Sequence, residues 1–138
     1  MNNRELKEFK TREEFLQDTI NYYWGRPDRN CGIEEPHYKG LICQYAPVHN
    51  NTEGCAIGRV LPLELCKELD ENNDPVTAHN VFKALPKWMQ DLGNDFLGSI
   101  QLCHDLRMFE MKDKQRTMSY FAANRERVDF TKITFPDE

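Results

Sequence analysis

Apolar positions settle into a helical rhythm within the first two dozen residues. Leu16, Thr19, Ile20 and Tyr23 recur at intervals of three and four, the spacing of one helix face. Thr11-Arg12-Glu13-Glu14 precedes them in the form of a capping box, with Thr11 as cap and Glu14 reaching back. Phe9 and Phe15 flank it as a hydrophobic staple, and Gly25-Arg26-Pro27 stops the helix.

The pattern then changes. Asp28 to Gly40 is turn-rich, with Cys31-Gly32 and Pro36, and reads as an ordered loop. Leu41-Ile42-Cys43-Gln44-Tyr45 is a short β candidate, and Pro47 to Gly54 is polar and turn-prone. Cys55–Leu61 either pairs with Leu41–Tyr45 as a hairpin or forms a short, tightly packed helix; Pro62 ends either form. Leu63–Leu69 suits about two helical turns, and Glu71-Asn72-Asn73-Asp74-Pro75 is a loop.

Val76, Val81, Phe82 and Leu85 mark the next apolar stretch. Pro86 opens a short helix, Gly93-Asn94 closes it, and Asn94 is placed to cap the next. From about Asp95 to Phe109 apolar residues, Leu102 and Leu106 among them, spread around most of the helix. That pattern predicts a central core element. A last helix is expected over about Lys112 to Arg125, with Met118, Phe121 and Ala122 facing inward. Val128-Asp129-Phe130 and Ile133-Thr134-Phe135 alternate as a closing edge strand would. The expected fold is α+β: a mostly helical single domain over residues 1–138 with a small β-hairpin or short sheet. No repeat or dividing linker interrupts it.

Composition narrows the function classes. Hydrophobic residues make up 39% and charged residues 30% of 138, a globular balance. The formal net charge of −5 weighs against nucleic acid as a partner, unless Arg12, Arg26, Arg29, Arg59 and Arg107 cluster on one face. No apolar run approaches the roughly 18 residues of a membrane span. The opening Met1-Asn2-Asn3-Arg4-Glu5-Leu6-Lys7-Glu8 lacks the apolar core of a signal peptide. A cytoplasmic location is therefore expected, with the five cysteines reduced.

Four short motifs carry a resemblance. They are Cys43-Gln44-Tyr45, then Cys55-Ala56-Ile57-Gly58-Arg59-Val60-Leu61-Pro62, then Leu85-Pro86, then Gln101-Leu102-Cys103-His104-Asp105. Together they resemble a group of small, largely uncharacterised phage and bacterial proteins with Cys-x-Tyr, Cys-Ala-x-Gly-x-Leu/Ile-x-Pro and Leu-x-x-His-Asp. The resemblance covers roughly the middle two-thirds of the chain and rests on short motifs. It implies a phage or mobile-element setting, in the host cytoplasm if phage-encoded, and a mostly helical α+β domain. It implies no mechanism, and Val128–Phe135 looks like an addition to the group's pattern.

The candidate chemistry begins with Gly54-Cys55-Ala56-Ile57-Gly58, where small residues surround a thiol. Cys55 as nucleophile with His104 as base is one reading. Asp105 follows His104 directly, however, so on a helix the two point about 100° apart, and a histidine at the edge of the core is the competing reading. For a metal, Cys31, Cys43, Cys55 and His37 lack the close spacing of a zinc site, so none is expected, and no cofactor. Gly54 and Gly58 do not make a phosphate loop. Arg59, the one charge in that run, either receives an anion or lies outward against a carboxylate. Tyr22, Tyr23 and Trp24, with Arg26 and Arg29 after them, either stack on a partner or end a helix on the core; Trp88 raises the same question. The favoured function is a non-catalytic phage-type accessory protein that binds a host protein or a small anionic ligand through Arg59, Tyr22, Trp24 or Trp88. The alternative is a small cysteine-dependent hydrolase or transferase using Cys55 and His104.

Overall fold

The first helix begins where Thr11 ends extended backbone. Its hydroxyl accepts from the Glu14 amide at 3.1 Å, and the Glu14 carboxylate reaches back to the Lys10 amide at 3.2 Å. Helix α1 runs Arg12–Tyr23, with Phe15, Leu16, Thr19, Ile20 and Tyr23 on its buried face. Phe9 stacks on Phe15 at 5.3 Å, the staple expected from the sequence. Gly25 follows with φ +69, a conformation that suits glycine. A Cβ there would also stand 2.7 Å from Lys112 Cε.

The computed structural model describes residues 7–29, 32–34, 41–43, 55–72, 79–123 and 127–136. Within them α2 spans Leu63–Asn72, α3 His79–Ala84, α4 Lys87–Leu92, α5 Asn94–Asp105 and α6 Lys114–Ala122. α5 packs on α4 and α6. The core gathers α1, the Cys55–Leu61 segment and α5, with Phe121 of α6 and Ile133 and Phe135 of the tail. No helix among the described residues is long and apolar enough to cross a membrane.

The α+β expectation does not hold; the fold is helical. Strand geometry among the described residues is limited to β1 (Gly32–Glu34) and β2 (Leu41–Cys43), antiparallel with Ile33 opposite Ile42. Two three-residue strands cannot supply a layer with a buried face. Of the two forms weighed for Cys55–Leu61 the hairpin is not the one found: the segment is a tight coil ending in a 3₁₀ turn at Gly58–Val60, nearer the packed helix, and every one of its residues is buried. Its amides bond within the segment, Arg59 to Cys55 and Leu61 to Gly58, so no ladder can form along it.

The tail is not an edge strand either. Side chains of α1 take the place of a neighbouring strand: Gln17 donates to Thr134 O at 2.8 Å and accepts from Thr134 N at 2.7 Å, and Glu13 accepts from Asp129 N at 2.8 Å. Asp129 caps a short 3₁₀ turn at Phe130–Lys132.

α5 differs from its expected form in three ways. Gly93, at φ 103, is its cap, and the Asn94 side chain makes no capping bond. The helix ends at Asp105, and Leu102 and Leu106 stay exposed, so only one face enters the core. Beyond it, Met108 N bonds Cys103 O and Arg107 N bonds His104 O, with Arg107 at φ 59. This is a Schellman closure. The turn after it closes the same way, Asp113 N on Met108 O and Lys112 N on Phe109 O, with Lys112 at φ 59. α6 is shorter than expected and leaves Ala122 exposed.

Candidate functional site

Cys55 opens the buried coil. Its Sγ accepts the Gly58 amide at 3.3 Å, while the Cys66 thiol donates to the carbonyl of the same glycine at 3.3 Å. Two thiols thus grip one residue from α2 and from the coil itself. Cys55 is 1% exposed, and burial, with the nearby Asp105 charge adding to it, pushes its thiol far above the ordinary range. A reactive cysteine needs the opposite environment, partly exposed and electropositive.

His104 lies on the inward face of α5 with no exposure. Its ring sits 4.4 Å from that of Tyr23, and Nδ1 faces Glu110 Oε2 at 3.5 Å. Burial lowers its pKa to about 3, with Arg59 and Arg107 contributing, so the imidazole is neutral at physiological pH. Asp105 turns away to accept from Gln101 at 2.9 Å, and burial raises it to about 6. Cys103, also in the core, is raised to about 12 by burial. The neighbour of His104 that sequence reasoning missed is Glu110, which is 3% exposed. A glutamate between Phe109 and Met111 in a turn carries no periodic signal of burial; only the Schellman geometry folds it inward.

Arg59 is the larger surprise, because its side chain points inward. Nη1 lies 2.7 Å from Asp18 Oδ2 and Nη2 donates to Thr19 Oγ1 at 3.4 Å, both on α1. Nε is buried and has no hydrogen-bond partner among the described residues. The guanidinium also sits 5.1 Å from the centre of the Tyr22 ring. Arg29 shares that ring at 4.5 Å and donates from Nη1 to Tyr22 O at 2.9 Å. Lys7 approaches Asp18 at 3.5 Å. These side chains, with Asn21 and Val60, line a cleft of about 330 Å³ between α1 and the Gly58–Val60 turn.

Of the four residues expected to bind, Arg59 and Tyr22 come together in this cleft. Trp24 does not: it is 8% exposed and packs on Phe135 at 4.9 Å. Trp88 packs with Phe9 and Phe15 at 5.6 and 5.8 Å, at the far end of α1. Among the described residues Arg29 and Arg59 meet at Tyr22, while Arg12 donates to Leu92 O instead. Cys31 and His37, two members of the weighed metal set, lie outside the described residues, as does Cys43's side chain. Asp18, Asn21 and Lys7 went unnoticed, though Asp18, Asn21 and Tyr22 share one face by the three-and-four rule. A larger groove, about 720 Å³, continues along α1 past Glu13, Glu14 and Gln17 to Lys132.

No family model, curated protein or solved structure matches the chain.

Proposed function

We propose that this protein is a non-catalytic, phage-type accessory protein, and that it acts by binding a small anionic ligand in the cleft between α1 and the Gly58–Val60 turn. The observation that carries the proposal is Arg29. It is held at two points, by the carbonyl and by the ring of Tyr22, and it has no carboxylate partner among the described residues. A guanidinium fixed beside a second, buried guanidinium is a receptor for an anion, because its fork of donors stays charged and pre-oriented. The phage-type setting comes from the motif resemblance of Cys43–Tyr45, Cys55–Pro62 and Gln101–Asp105. Against the cysteine-dependent alternative stand the sealed Cys55 thiol and a His104 ring turned to Tyr23 and Glu110.

The test is a thermal-shift titration with chloride, acetate, sulfate, phosphate and citrate at constant ionic strength. At least one anion is expected to raise the midpoint saturably in the parent and not in Arg29→Gln. Equal shifts in parent and variant, or no shift with any anion, would overturn the proposal.

A further inference from the structure

The charges around the cleft do not cancel. Among the described residues that line it, Lys7, Arg29 and Arg59 bring three positive charges and Asp18 one negative charge. Asp18 pairs with Arg59 at 2.7 Å and with Lys7 at 3.5 Å, and Arg29 makes no ion pair with it. The cleft therefore keeps an excess of two positive charges. A dianion balances that excess, and a monoanion leaves half of it.

The geometry narrows the ligand further. Both guanidinium groups lie over the Tyr22 ring, at 4.5 and 5.1 Å from its centre, within cation–π range. The ring thus already holds two cations, which leaves less of it for a ligand's aromatic ring to stack on. Among the described residues, the rest of the lining is the amide of Asn21 and the aliphatic side chain of Val60. An amide suits a hydroxyl or carbonyl group. The volume of about 330 Å³ is near the lower limit of ligand pockets, which fits a small ester and not a dinucleotide.

Resting on the anion-site reading above, we infer that the ligand is a small, non-aromatic phosphate monoester, with its dianionic phosphoryl group at Arg29 and Lys7 and its polar remainder toward Asn21. Arginine suits such a group because its paired N–H donors match two oxygens at once. Asp18 keeps Arg59 paired throughout, so the buried guanidinium is a fixed wall of positive potential and Arg29 is the contact that the ligand completes.

The experiment is calorimetric titration of the full chain at fixed ionic strength. The probes are inorganic phosphate, sulfate, acetate, nitrate, glycerol phosphate and adenosine monophosphate. Phosphate, sulfate and glycerol phosphate are expected to bind with one site per chain, about tenfold or more tighter than acetate or nitrate. Glycerol phosphate binding should strengthen as pH rises from about 5 to 7.5, following the monoester's second ionisation at about 6. Sulfate, dianionic throughout, should not show that rise, which separates the ligand's titration from any of the protein's. Arg29→Gln should weaken all three by about tenfold or more, Arg29→Lys by less, and Lys132→Gln, which lies in the neighbouring groove, should change nothing. Lys7→Gln, a largely exposed position, serves as the second variant should Arg29→Gln not fold, and the same direction is expected.

The ways of failing are distinct. Acetate and nitrate binding as tightly as phosphate, with both lost in Arg29→Gln, would overturn the phosphate inference and leave the anion site standing. Adenosine monophosphate binding more than tenfold tighter than glycerol phosphate would overturn the exclusion of aromatic ligands. Binding that ignores both the Arg29 and the Lys7 substitutions would overturn the site itself.

Discussion

Cys55 and His104 show how much a side chain's chemistry depends on what surrounds it. A thiol and an imidazole in one core are raw material for nucleophilic catalysis, yet burial drives each toward its neutral form. Iodoacetamide footprinting read by mass spectrometry should therefore find Cys55, Cys66 and Cys103 unlabelled in the folded protein and labelled together once it unfolds. Fast labelling of Cys55 under native conditions, with an apparent pKa near or below about 6, would revive the enzyme reading.

The two shifted groups next to each other in sequence also set opposite pH dependences. His104 is held at about 3 when folded and titrates near 6.5 when unfolded, so the unfolded chain binds the extra proton in that window and stability falls as pH falls through it. Asp105 runs the other way. Its pKa is raised from 3.8 to about 6, so its contribution is present below about 4 and is lost as pH rises through 6. Between pH 4 and 6 the two partly cancel. Urea midpoints measured across this range should fall more steeply on acidification in Asp105→Asn than in the parent, and less steeply in His104→Gln. Three parallel profiles would show that neither group is coupled to folding.

Among the elements, α5 and the tail depend on different forces. Ile100 on α5 is fully buried, and Ile100→Ala should cost about 2–5 kcal/mol in a denaturant melt, the range for emptying an aliphatic core site. A loss below about 1 kcal/mol would mean that the site collapses around the smaller side chain. The tail is held at its backbone by Gln17 and Glu13 and by Ile133 and Phe135 beneath. Gln17→Ala removes two hydrogen bonds to the tail and one to Asn21, all exposed, so its global cost should be small, roughly 0.5–1.5 kcal/mol. Hydrogen exchange at the Thr134 amide should nevertheless accelerate well ahead of exchange in α1. Unchanged exchange there would mean that the buried Ile133 and Phe135 alone seat the tail.

Across the whole molecule, aromatic packing reaches both ends of α1. Trp88 packs near its start, beside Phe9 and Phe15, and Trp24 ends it beside Phe135. The two tryptophans therefore report on distant parts of the core. Single-tryptophan variants, Trp24→Phe and Trp88→Phe, are expected to unfold with the same urea midpoint by fluorescence once each is referenced to its own circular-dichroism transition. Separate midpoints would reveal that the tail end and the α4–α5 end melt independently.

Local order was legible along the chain because it depends on neighbours a few residues away. Thr11 and Glu14, Phe9 and Phe15, the stop after Tyr23 and Pro86 before α4 all follow from spacing and capping chemistry. The β expectations for Cys55–Leu61 and the tail failed for a related reason, while Leu41–Cys43 is a strand. Alternating apolar residues state only that side chains are buried; what bonds the backbone is a separate matter, and in Cys55–Leu61 and the tail that partner is the segment itself or a side chain of α1. The cleft lies wholly beyond local rules. Arg59 meets Asp18 and Tyr22 from about forty residues away in sequence, and the sign of its surroundings emerges only when Arg29 and Lys7 are brought to the same ring and carboxylate. Composition and periodicity by themselves determined a helix-rich chain with an apolar core. Tertiary packing alone decided that Cys55 is sealed, that Arg59 turns inward and that Arg29 and Arg59 meet over one ring beside a small cleft, because burial and charge pairing are properties of distance in space.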